Sequence, residues 1–196
     1  FQHRKINLKL NIVLTTYHSP FYNDFIIPVG NLREQRNSYK RADVIIVTKC
    51  PELISNDDLD HFRKKIQLHN NQNIFFTKIN YDNNLKGDSK INLDLILDPI
   101  ILVTGIANSD PIVDFLKNSR VVFEHISYSD HFNYSQNDID KIEKNSNKLI
   151  ITTEKDFQKI QLLKRKNKWV YLEIKIEFLE NESLFNSLID KAINTS

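Results

Sequence analysis

Methionine is missing from all 196 residues, and cysteine and glycine are scarce, at one and three. The lone Cys50 excludes an internal disulfide framework and a thiolate zinc cluster, and it fits a reducing compartment. Glycine normally makes up ~7% of a chain; with so few here, no G-x-x-x-x-G-K-[ST] phosphate loop can be assembled. No apolar run approaches the roughly 20 residues that span a bilayer. The opening Phe1-Gln2-His3-Arg4 is not patterned as a signal peptide. Excess charge is lacking too: 27 Lys and Arg against 25 Asp and Glu leave +2, too even to point to nucleic acid. An intact translated chain opens on methionine, so the sequence reads as an internal-to-C-terminal fragment whose function draws on residues outside it.

What is present is the material of a folded α/β protein. Hydrophobic residues make up 40% of the chain and aromatics 10%, enough to bury a sizeable core. Short apolar runs rich in Ile and Val predict strands at about 9–15, 43–48, 73–78, 99–105, 121–127 and 148–152, with Trp169-Val170-Tyr171-Leu172 a further one. Runs apolar on both faces suit buried parallel strands covered by helices. Helical spacing recurs between them. Leu59, Phe62 and Ile66 share a face after Asn56, the expected N-cap, and Thr153 is placed to cap a helix that follows a strand directly. The recurring β-α order argues α/β architecture. The polar stretch Asn80 to Leu93 breaks the rhythm and reads as a linker or hairpin between two units. Phe75–Tyr81 and Trp169–Ile176, both extended and aromatic, are expected to pair antiparallel and join the units.

Four clusters carry candidate chemistry. Gln2-His3-Arg4 precedes the first strand. Pro28-Val29-Gly30-Asn31-Leu32-Arg33-Glu34 is a glycine-containing loop, and an arginine there can hold a phosphate through its planar fork of donors; the plainer reading pairs Arg33 with Glu34. Ser127-Tyr128-Ser129-Asp130-His131-Phe132 follows a strand, the edge at which α/β sheets gather ligands. His131 there suits a general base or charge partner near neutral pH, or a plain hydrogen-bonded loop group. Thr152-Thr153-Glu154-Lys155-Asp156 sits at another strand end. A helix cap with first-turn acids explains Thr153, Glu154 and Asp156 but leaves Lys155, a cation at a helix N-terminus, unexplained. Cys50 is expected to be a buried, unreactive thiol.

Taken in order, these blocks resemble the tetraacyldisaccharide 4'-kinase (lipid A 4'-kinase) family. The resemblance rests on F-Q-H-R at 1–4, P-x-G-x-L-R-E at 28–34, R-A-D-x-I-I-V-T-K at 41–49, T-G-I-A at 104–107, D-H at 130–131 and T-T-E-K-D at 152–156. It implies a P-loop-kinase-like α/β fold of two Rossmann-like units with largely parallel sheets joined by a two-stranded linker. Residues 1–79 would form the C-terminal part of the P-loop domain and 80–98 the linker. Residues 99–196 would form a second α/β domain, with the last strand and helix able to return to the first.

The function implied is ATP-dependent phosphorylation of the 4'-hydroxyl of a tetraacyldisaccharide 1-phosphate, with Mg2+, at the cytoplasmic face of the inner membrane and without nucleic acid. By resemblance, Arg33 holds a phosphate, Lys155 reaches another, and His131 supports a base that lies off this chain. Glu34 and His3 line the cleft. The metal-binding acids are expected upstream of Phe1, so the fragment alone is expected to be inactive. Two departures stand out: Phe132 replaces the second histidine of the usual D-H-H, and Gln35 follows L-R-E where proline is common. The rival readings are a non-catalytic Rossmann-like module that binds a nucleotide or partner, and a hydrolase using Asp130-His131. The absence of any G-x-S-x-G elbow counts against the hydrolase.

Overall fold

The computed structural model describes residues 9–69, 71–144 and 146–194. It divides into two units, one built from the described residues up to Asn80 together with those from Ile176 onward, the other from Tyr81–Lys175.

The first unit holds a sheet in the order β1-β2-β3-β10: Ile12–Thr16, Val44–Cys50, Asn73–Tyr81 and Ile174–Phe178. β1, β2 and β3 run parallel. Side chains alternate across a strand, so β2 feeds two cores: Ile45 and Val47 pack with Phe62, Ile66 and Phe76, while Val44 and Ile46 pack with Phe75. Helix α1, Asn56–Ile66, supplies Leu59, Phe62 and Ile66 to the first of these. Its cap is Ser55, which forms a reciprocal capping box with Asp58, and Asn56 is already helical. Helix α5, Glu182–Asn194, contributes Phe185 and Leu188 to the second.

The second unit carries a six-stranded sheet in the order β5-β4-β9-β8-β6-β7. Its parallel part is β7 (Phe123–Ser127), β6 (Ile100–Thr104), β8 (Ile150–Thr153) and β9 (Trp169–Leu172). β4 (Asn84–Gly87) pairs antiparallel with β9 and with the short β5 (Ile91–Asn92). The segment read as a linker thus contributes edge strands to this sheet, because Leu85 is fully buried in its core. Alternation again splits the packing. Leu102, Ile151 and Val170 face α2 (Asp110–Asn118), whereas Ile101, Ile150 and Trp169 face α3 (Gln136–Ile142) and α4 (Glu154–Ile160).

One strand pairing differs from expectation. Trp169–Leu172 does not lie beside β3; it sits between β8 and β4, and Trp169, Val170 and Leu172 are almost wholly buried, as an interior strand requires. Its neighbour β10 takes the place beside β3. There Leu179 N donates to Phe76 O at 2.9 Å while Glu177 accepts from Asn80, contacts that run in opposite senses along the two strands. The exposed 174–177 stretch suits a sheet edge.

In the second sheet the chain leaves β6 through α2 toward β7 and leaves β8 through α4 toward β9. The helices pack on opposite faces. The carboxyl ends of β6 and β8 therefore flank the topological switch point, where open α/β sheets form a crevice.

Candidate functional site

In the first unit, the loop after β1 folds around Asp24. Its Oδ1 accepts the backbone N–H groups of Phe25 at 2.7 Å and Asn31 at 3.1 Å. These bonds hold the Asp24 carboxyl below its usual range. Gly30 fits because a Cβ would stand 2.3 Å from Asp24 Oδ1 and 2.4 Å from Phe25 O. Arg36 Nε donates to Asp24 O at 2.6 Å, and its guanidinium lies 4.5 Å from the centre of the Phe25 ring. The loop delivers Leu32, Arg33, Glu34 and Gln35 to the wall of a cleft of about 450 Å³, which Val13, Leu14, Phe21 and Tyr39 also line.

Arg33 is exposed, and among the described residues it has no hydrogen-bond or ion-pair partner. Glu34 pairs instead with Arg41, so the Arg33–Glu34 pairing that adjacency suggested is not formed. His3 lies outside the described residues.

In the second unit, the structure brings Asp130, His131 and Lys155 together. Lys155 Nζ donates to Asp130 Oδ1 at 3.3 Å, and His131 Nε2 stands 3.6 Å from Asp130 Oδ2. Partial desolvation pushes the Asp130 carboxyl up, but the Lys155 ammonium and His131 together outweigh it and leave it below its usual range. His131 adopts a left-handed backbone, φ 59°, and its side chain is 76% exposed. Such a conformation costs a residue with a Cβ about 1–2 kcal/mol; here the turn is tied by the His131 N–H, which donates to Asp130 Oδ1 at 2.9 Å. Asp130 thereby supplies the partner that the cation at position 155 lacked on sequence reasoning.

Beneath this exposed cluster lies a buried one that sequence reasoning missed. Asp156 is the first-turn acid that its position suggests, and it is 0% exposed. Its Oδ2 accepts the Gly105 N–H and the Thr153 hydroxyl, both at 2.8 Å, so one carboxylate bridges the ends of β6 and β8 at the switch point. A Cβ on Gly105 would lie 2.8 Å from the Tyr134 hydroxyl and 3.0 Å from Asp156 Oδ1. Burial, and then the Asp156 charge, pushes the Tyr134 phenol well up. Tyr134 stands edge-on to Tyr128 and Phe132, which stack on each other with ring centres 4.3 Å apart. Nearby, burial holds the His125 imidazole below its ordinary value, and its Nε2 shares a 2.9 Å hydrogen bond with Thr104 Oγ1. The signals were present in T-G-I-A and T-T-E-K-D, but only folding shows that the glycine of one meets the aspartate of the other.

One further group, Cys50, has no part in this chemistry. Cys50 is buried, and desolvation pushes its thiol up to about 11, as an unreactive core cysteine requires. Among the described residues, no group of three or more His, Cys, Asp or Glu side chains could hold a metal ion, and no helix is long and apolar enough to cross a membrane.

Comparison with known proteins agrees with the blocks quoted above. The chain is 36% identical to the tetraacyldisaccharide 4'-kinase of Flavobacterium johnsoniae over 95% of its own length and 55% of that protein. It is 36% identical to the enzyme of the same name from Bacteroides thetaiotaomicron, over 93% of its own length and 54% of the relative. It thus spans little more than half the length of these curated relatives. The fold is shared with LpxK of Aquifex aeolicus, solved in complex with ATP, at a TM-score of 0.69 and 22% identity, covering 97% of this chain and 55% of that one. The family profile described as tetraacyldisaccharide-1-P 4'-kinase matches residues 1–194, and the chain belongs to that family.

Proposed function

We propose that the chain is the carboxyl-terminal part of an enzyme that transfers the γ-phosphoryl group of ATP to the 4'-hydroxyl of a tetraacyldisaccharide 1-phosphate. Family membership supports the reaction class. The observation that carries the residue assignment is the Asp130–His131–Lys155 cluster: a cation and an imidazole displayed at the carboxyl end of a parallel sheet and held by one carboxylate. Phosphoryl transfer asks for positioning and charge neutralisation more than covalent work. In this reading Lys155 and Arg33 are the cationic groups that neutralise phosphate oxygens. His131 hydrogen-bonds to, or charges, the environment of the group that accepts the sugar hydroxyl proton. Glu34, on the same cleft wall as Arg33, is paired with Arg41, and His3 is a further substrate contact.

Mg2+ would supply neutralising charge at the phosphates when bound with ATP. The described residues offer no acidic set that fits it, so its protein ligands are assigned to residues beyond them. The lipid substrate implies work at a membrane surface, on the cytoplasmic face of the inner membrane. Incubating the full-length protein with γ-labelled ATP and the tetraacyldisaccharide 1-phosphate tests the reading. Label should appear in a 4'-phosphate and should fall in Arg33→Ala by roughly 10²–10³ if that contact is made in the transition state. A protein that binds ATP but transfers no label would return the chain to the class of binding modules.

A further inference from the structure

The His131 loop is gripped from below by a single turn of helix. Helix α4 sends alternate side chains to two destinations. Lys155 reaches out to Asp130 Oδ1 at 3.3 Å, and one turn later Lys159 Nζ donates to the backbone carbonyl of Phe132 at 2.9 Å. These two lysines hold the loop on either side of His131. The turn that carries them is itself anchored by Asp156. The Asp156 N–H donates to Thr153 Oγ1 at 3.1 Å, while its carboxylate accepts the Thr153 hydroxyl and the Gly105 N–H. The other oxygen, Oδ1, stands 3.8 Å from Lys159 Nζ and close to where Tyr134 places its buried hydroxyl. The loop's inner face is aromatic, with Tyr128, Phe132 and Tyr134 packed on one another, and Tyr128 N donates to Thr104 O at 2.7 Å beside Gly105.

The lysine contacts that hold the His131 loop therefore run from a helical turn tied to the sheet by one buried carboxylate. We propose that Asp156 is a positioning residue for the phosphoryl-transfer site. It fixes the first turn of α4 to the β6 end, so that Lys155 and Lys159 hold His131 at a constant place and φ. The inference rests on the function proposed above for His131 and Lys155. Asp156 touches no reacting group; it acts through the lysines and the loop. A purely stabilising buried carboxylate would lower the population of folded protein without altering what the folded molecules do. A positioning one alters the loop inside folded molecules.

The test uses the full-length protein and Asp156→Asn, which keeps shape and one acceptor oxygen but removes the charge facing Lys159. Hydrogen exchange followed by mass spectrometry, without substrate, reads the loop directly. Exchange across 128–134 should rise about tenfold in the variant, while β8 and β9 stay protected. Steady-state kinetics should show kcat down roughly tenfold with KM for ATP near wild type, the pattern of an interaction lost chiefly in the transition state. Should Asp156→Asn not accumulate as folded protein, Lys159→Met, which keeps the stem and removes the donor to Phe132, carries the same two readouts. Wild-type protection of 128–134 overturns the proposal, as does a loosened loop with wild-type kcat. If wild-type protein transfers no phosphoryl group at all, the functional reading fails, and the anchoring of the loop by Asp156 is judged on exchange alone.

Discussion

The Arg33 loop and the His131 loop offer similar side chains to solvent but are built in opposite ways. The first is organised by a half-buried aspartate, Asp24, whose carboxylate caps backbone N–H groups near the surface, and its tip presents Phe25, Ile27 and Val29 to solvent. The second rests on Asp156, wholly buried, which ties two strand ends together and has two lysines of its own helix reaching to the loop above. Surface hydrogen bonds exchange readily with water and contribute modestly, whereas stripping a partner from a buried charged network leaves groups unsatisfied. Changes at the base of the Arg33 loop should therefore cost little stability, whereas changes at the buried carboxylate beneath the His131 loop should cost much.

The largest expected effect is on folding. Asp156→Ala strips the acceptor from Gly105 N–H and Thr153 and leaves Lys159 facing a void. Urea unfolding should register a loss of about 3 kcal/mol, in the range seen when a buried pair loses one member. A loss under about 1 kcal/mol would erase the distinction between the two loops. Gly105→Ala attacks the same crevice by crowding, since its Cβ would meet the Tyr134 hydroxyl at 2.8 Å and Asp156 Oδ1 at 3.0 Å. It should cost about 1–3 kcal/mol, as overpacking does.

The corresponding change in the exposed loop is Gly30→Ala. It meets even closer atoms, at 2.3 and 2.4 Å, yet the loop has solvent to move into. Here about 1 kcal/mol or less is expected, with the clear signal in the Asp24 carboxyl. An NMR titration should show its pKa rising back toward the ordinary value as the Phe25 and Asn31 hydrogen bonds break. An equal loss of stability from Gly30→Ala and Gly105→Ala would contradict the contrast.

How much of this the sequence disclosed follows from what each signal depends on. The all-apolar runs of β2 and β6 announced buried parallel strands because burial on both faces leaves no alternation to misread. The Thr153 cap was readable because capping is a local geometry. The β9–β10 region was misassigned because periodicity says that a strand exists, not which neighbour it takes, and Glu173 separates two strands that serve different sheets. Asp156 was read as a first-turn acid, which it is, but its burial and its bond to Gly105 were not legible because that partner is 51 residues away. Lys155, the residue that no local rule explained, proved the better pointer: its partner Asp130 was also distant in sequence and became visible only in the fold.

A smaller effect sharpens the electrostatic side. The Asp130 carboxyl is depressed in the folded protein, so its contribution is complete above the unfolded value of about 3.9 and is lost as pH falls through the lower folded value. Lys155→Met removes its hydrogen-bonding cation, and the Asp130 titration followed by NMR should move upward. An unshifted Asp130 would mean that the ion pair does not form in solution.

Most direct of all is the turnover of His131→Ala in the full-length protein, measured with thermal unfolding of the same sample. His131 is exposed and its ring packs little, so the melting temperature should stay near wild type while phosphoryl transfer falls by roughly 10²–10³, the usual cost of one preorganised contact. Wild-type turnover by the folded variant would contradict the account and leave His131 a polar group at the tip of a loop.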